Sequence, residues 1–200
     1  MDNQEEKTLK VFFSGNINSV IFLNLFFGTL ASLIPSGTWV IFIIAVFITV
    51  IETIIGWIWF SGIKNKVRYN SLIAFLTIIT SGFFWVIPLL RITYGTILFW
   101  GMLLIYLTIF VYTLYKRELL FKAFYRPEKS RLAKGVLIIT GVVFVIGSLL
   151  YRNGQELIIS TFLNNQQEGV AVSLIFYIFG LIFTFISSIF LKHPDKIKKH

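Results

Sequence analysis

"WVIFIIAVFITVIETIIGWIWF", residues 39–60, decides how the rest of the chain is read: it holds 22 residues and one charge, Glu52. A helix of that length reaches ~33 Å at 1.5 Å of rise per residue, which matches the ~30 Å hydrocarbon layer of a bilayer. The surrounding chain agrees. Of its 200 residues 56% are hydrophobic, 22 are Phe, only 14% are charged, and the mean hydropathy is +0.83. Soluble domains carry about a quarter charged residues, so this composition points to lipid as the solvent for most of the chain.

Working outward from 39–60, stretches of ~18 or more nearly uncharged residues predict six spans, at 17–34, 39–60, 69–90, 95–115, 135–151 and 170–191. Lipid offers no partner to backbone N–H and C=O groups, so each span is expected to be a helix. The expected fold is therefore an all-α, six-helix membrane bundle forming one domain over 1–200. Turn-forming residues separate the spans: "IPSGT" (34–38), "GIKNKVR" (62–68), "RITYG" (91–95), "YRPEKSRLAKG" (125–135) and the stretch from "RNGQ" to "NNQQEG" (152–169).

Charge sets the orientation. Sixteen of the 18 Lys and Arg fall on one side, in the N-terminal tail, the second connection, the basic 116–134 connection and the C-terminal tail. Only Arg91 and Arg152 fall on the other. The positive-inside rule then places both termini in the cytoplasm and 152–169 outside. The net charge of +9 is explained without nucleic acid. Anionic lipid headgroups are the expected counter-ions, with Lys64, Lys66, Arg68, Arg126, Lys129 and Arg131 as contacts. Arg91 and Arg152 are expected to reach outer headgroups by snorkelling.

Aromatic residues follow the interfaces in part: Trp39, Tyr94 and Tyr151 at outer ends, Trp57, Trp59, Tyr69, Tyr112 and Tyr115 at inner ends, with Tyr106 and Tyr177 at mid-depth. The leader lacks a positive n-region, so the first span is read as retained rather than as a cleaved signal peptide. "KRELLFKAFYR" (116–126) is amphipathic and suits either a helix lying along the inner interface or an extension of the fourth span. "QELIISTFL" (155–163) suits a short amphipathic turn or an ordered loop. "RPEK" (126–129) and "HPDK" (193–196) both follow helix ends, a common exit pattern rather than a repeat.

Helices meeting in lipid do so through small and hydroxylated residues. Stripes of that kind run along Asn24, Gly28, Ser32, Pro35; along Ala45, Thr49, Glu52, Gly56; along Asn70, Ala74, Thr77, Ser81, Pro88; and along Ser173, Tyr177, Gly180, Thr184, Ser187. Sparser ones are Gly101, Thr108, Tyr112 and Gly141, Ser148. Opposite the second stripe, Phe47, Val50, Ile54 and Ile58 make a lipid face.

Glu52 lies on the cytoplasmic side of the midplane, level with Asn24, Thr77, Thr108, Thr140 and Thr184, none of them cationic. Facing lipid would cost about 3 kcal/mol, so it is expected to point inward, uncharged and hydrogen-bonded to a hydroxyl or amide. It serves either as interhelical glue or as a titrating relay in a path formed by Glu52, Thr49, Asn24, Thr77, Thr108, Thr184 and Tyr177.

The inventory argues against catalysis. The chain has no cysteine, and its two histidines, His193 and His200, both lie in the C-terminal tail. It contains no H-E-x-x-H, G-x-S-x-G or phosphate-loop motif and no paired carboxylates. No cofactor or metal is expected. The first functional expectation is a transport or permease component without its own ATPase, in a bacterial cytoplasmic membrane, acting as a homo-oligomer or with a partner subunit. The alternative is a non-transporting accessory, immunity or regulatory protein.

Overall fold

In the computed structural model, which describes residues 9–13, 15–149, 151–152, 156–157 and 165–191, each stretch expected to span is helical over most of its described length. A short α1 (Leu9–Phe13) precedes α2 (Ile17–Leu33), α3 (Trp39–Gly62), α4 (Lys66–Thr93), α5 (Ile97–Tyr115), α6 (Arg117–Tyr125), α7 (Arg131–Leu149) and α8 (Asn165–Ser187). Residues Pro127–Lys129 and Ser188–Leu191 add single 3-10 turns. Among the described residues, four helical stretches are long and apolar enough to cross a bilayer, Trp39–Gly62, Lys66–Thr93, Ile97–Tyr115 and Gln167–Leu191, while α2 is apolar but has 17 residues.

Local chemistry sets the helix ends. Asn65 stops the chain after α3 and opens α4, its Oδ1 accepting from the amides of Val67 (3.0 Å) and Arg68 (3.2 Å). Gly95 takes a φ of 80° in the turn between α4 and α5, a conformation that costs glycine nothing. The connection expected over 152–169 is shorter, because "NQQEG" forms the first turn of α8. Tyr151–Arg152 and Glu156–Leu157 pair as a two-residue antiparallel ladder. The rest of the amphipathic turn expected over 155–163 lies outside the described residues.

α4 is the centre of the bundle. α8 forms the most extensive pair with it, and α2, α5 and α3 pack around its other sides. α4 and α8 approach backbone to backbone: a Cβ at Gly180 would sit 2.7 Å from the Gly82 carbonyl oxygen, and one at Gly82 would sit 3.0 Å from that of Gly180. α2 and α3 close up in the same way, since a Cβ at Gly28 would lie 2.3 Å from the Ala45 Cβ.

Two arginines of α4 tie down the ends of other helices. Arg91 Nη1 donates to the carbonyls of Ala31 (3.0 Å), Ser32 (3.3 Å) and Ile34 (2.8 Å), and its Nη2 donates to Ser36 (2.7 Å). This guanidinium satisfies carbonyls that the end of α2 leaves open and sits at the negative end of that helix. Snorkelling to headgroups, the sequence expectation for Arg91, gives way to this role because α2 ends within its reach. Arg68 does the same for the last turn after α8, donating to Leu191 O at 2.7 Å, while Ser71 donates to Phe190 O. These contacts put residues 63–65, α6 and Leu191 at one end of the bundle and residues 34–38 and 94–96 at the other.

Candidate functional site

Glu52 projects from α3 into the seam with α2 and α4 and is 3% exposed. Asn24 Nδ2 on α2 donates to its Oε2, and Thr80 Oγ1 on α4 donates to its Oε1. Three helices are thereby joined through one side chain. Thr80 is unusual among the hydroxyls here. Thr49, Thr53, Thr77 and Thr140 each donate to the carbonyl four residues back on their own helix, whereas Thr80 reaches across to a neighbour. Asn24 is fully buried, and its Oδ1 has no hydrogen-bond partner among the described residues.

The residues expected to form one polar layer are divided by α4. Asn24, Thr49 and Glu52 do come together, all buried. Thr77 does not join them: it is half-buried and bonds Ile73 O at 2.9 Å, and Thr80, one turn deeper, takes the place expected for it. Thr184 and Tyr177 lie in a second seam, between α8, α4 and α5. There Tyr177 Oη donates to Met102 O at 2.7 Å, and Tyr106 lies beside Thr184, whose Oγ1 is buried with no good hydrogen-bond partner among the described residues. Thr108 belongs to neither seam and is exposed. α5 turns Met102, Tyr106 and Thr113 inward instead, because the ring of Tyr106 fills the space beside Val86, Leu89 and Tyr177. Gly101 and Tyr112, on the stripe with Thr108, are exposed too, as are Gly141 and Ser148 on α7, where Ala133 and Val143 face in.

The α3 and α8 stripes lie where the sequence puts them, whereas Pro35 and Asn70 of the other two are exposed, both lying at helix ends. The buried residues of α3 are Ala45, Thr49, Glu52 and Gly56 and no others, and Ser173, Tyr177, Gly180, Thr184 and Ser187 are buried along α8. Phe47, Val50, Ile54 and Ile58 are all more than half exposed.

At the basic end, Lys64, Lys66, Arg126, Lys129 and Arg131 are exposed. Arg68 is the exception, since its guanidinium is engaged at Leu191. The aromatic belt expected at the basic end is also thinner. Trp57, Trp59 and Tyr69 pack with Phe12, Ile17, Val20 and Ile73 in a core cluster. Trp39, Tyr94 and Tyr115 remain exposed at helix ends. α6 is a helix in its own right, broken from α5 at Lys116 and anchored by Leu120, which is fully buried.

Sequence reasoning missed Thr80 and the capping roles of Arg68 and Arg91. Thr80 carries a weak signal, a hydroxyl three residues past Thr77 on the same side of α4. Arg68 and Arg91 carry none beyond standing at helix ends.

No protein-family model, curated protein or solved structure matches the chain.

Proposed function

We propose that the chain is a multi-pass protein of a bacterial cytoplasmic membrane, with α2, α3, α4, α5, α7 and α8 as six spans and the basic end in the cytoplasm. In this reading it acts as a non-transporting accessory or regulatory subunit that presents its basic end to a partner. The carrying observation is the clasp at Glu52. Both carboxyl oxygens are taken by donors from two neighbouring helices, which suits an acid that holds helices together. The separation of Thr184, Tyr177 and Thr108 from that clasp supports the same reading.

Transport without an ATPase of its own is the second reading. It is favoured by Asn24 Oδ1, a buried acceptor beside the carboxyl with no partner among the described residues, which fits a carboxyl that gains and loses a proton. Proteoliposomes containing a pH-sensitive dye separate the two. The accessory reading expects no proton flux that depends on Glu52, and Glu52→Gln to keep both stability and cellular phenotype. A flux in the wild type that Glu52→Gln abolishes at unchanged stability replaces it with the transport reading.

A further inference from the structure

The break at Lys116 leaves an elbow between α5 and α6 that neither seam uses. An open cavity of about 550 Å³ lies there, walled by Tyr115, Lys116, Arg117, Glu118, Leu119 and Lys122. Its size falls within the ~300–1,000 Å³ usual for small-molecule sites. Three cations face one carboxylate, and none of the four makes an ion pair among the described residues. The Lys116 ammonium sits 4.9 Å from the centre of the Tyr115 ring, which holds it near the mouth. The two apolar walls, Tyr115 and Leu119, are 79% and 48% exposed. Tyr115 is the last residue of a stretch long and apolar enough to span a bilayer, and Leu120 pins α6 against the Ser188–Leu191 turn. The cavity thus combines a cationic wall with an apolar lip at the depth where lipid phosphates lie.

From this juxtaposition we propose that the α5–α6 elbow binds the phosphate headgroup of an anionic phospholipid, with Lys116, Arg117 and Lys122 holding the phosphate and Tyr115 and Leu119 covering the glycerol end. The proposal rests on the membrane reading above, and flotation of the protein with vesicles tests that reading separately. A protein that floats but shows no lipid preference at the elbow refutes the site alone.

Native mass spectrometry of the full chain in detergent, with phosphatidylglycerol or phosphatidylcholine added, measures retention where no bilayer surface potential acts. The wild type is expected to retain phosphatidylglycerol in preference to phosphatidylcholine. K116Q/R117Q/K122Q is expected to lose about a hundredfold in retention, at about fivefold for each direct phosphate contact removed. K64Q/K66Q/K129Q removes the same charge at the same end; these lysines act on headgroups through the surface potential of a bilayer, which detergent removes, so this variant should stay within about threefold of wild type. Glu118→Gln removes the opposing carboxylate and should retain more lipid; it decides the matter if the triple variant fails to fold. Equal losses in the two triples, equal retention of the two lipids, or no gain in Glu118→Gln overturn the proposal. Release of phosphatidylglycerol by excess inorganic phosphate would assign the elbow to a soluble phosphate and likewise overturn it.

Discussion

Thr80→Val removes a single hydroxyl from the Glu52 clasp while keeping its shape, so its effect isolates one interhelical bond. Bonds of this kind inside membranes average ~0.6 kcal/mol and reach ~1.7 kcal/mol. Glu52, Asn24 and Thr80 are 3%, 0% and 8% exposed, so water cannot replace the lost donor and the upper part of that range applies. Thr80→Val is expected to destabilise by about 1.5 kcal/mol. Glu52→Ala breaks both bonds, strands two buried polar groups and opens a small cavity, and should cost about 3 to 4 kcal/mol. Once Glu52 is gone Thr80 has nothing to donate to at that site, so adding Thr80→Val to Glu52→Ala should cost little more. The predicted coupling is about 1 to 1.5 kcal/mol. Glu52→Gln, which keeps the shape and an acceptor oxygen, should fall within about 1 kcal/mol of wild type. Unfolding by titration with a denaturing detergent, run on the four proteins of the cycle, gives each value. Additive single and double variants, with coupling near zero, would refute the clasp.

Variants at four further positions test the packing. Arg91→Gln should destabilise by about 2 to 3 kcal/mol, because four carbonyls at the end of α2 lose a charged donor, and should raise amide exchange in α2's last turn and at 36–38. Arg91→Lys should restore only part of this, since an ammonium lacks the guanidinium fork. Gly180→Val should prevent α4 and α8 from closing and cost more than about 3 kcal/mol, read as loss of the folded fraction after purification. Gly101→Val, where a side chain meets nothing within 4 Å, should be neutral within about 0.5 kcal/mol. Leu120→Ala should cost about 2 to 3 kcal/mol and expose α6 to protease before any span is cut.

How far the sequence reaches depends on how many neighbours a helix has. α3 and α8 bury one side each, so their small and hydroxylated stripes were legible in full, from Ala45 to Gly56 and from Ser173 to Ser187. α4 is packed from several directions and buries Ile73, Thr80, Phe84, Val86 and Leu89 as well as Ser81 and Pro88, which blurs any single stripe. That is also why depth counting chose Thr77 over Thr80: both are level with Glu52 to within a turn, and only the rotation of α4 separates them. On α5 the small-residue rule failed because a buried tyrosine, Tyr106, claimed the seam. The roles of Arg68 and Arg91 depend on where two other helices stop, which no local pattern encodes.

The central claim is that these helices cross a bilayer with the basic end in the cytoplasm. The chain has no cysteine of its own, so single cysteines report position cleanly when treated with a membrane-impermeant maleimide on intact cells. Cysteine at Ser36 or Tyr94 should react at once, and cysteine at Lys64 or Lys129 only after the cells are permeabilised. Labelling of position 64 or 129 on intact cells, or protection of both 36 and 94, would contradict the account.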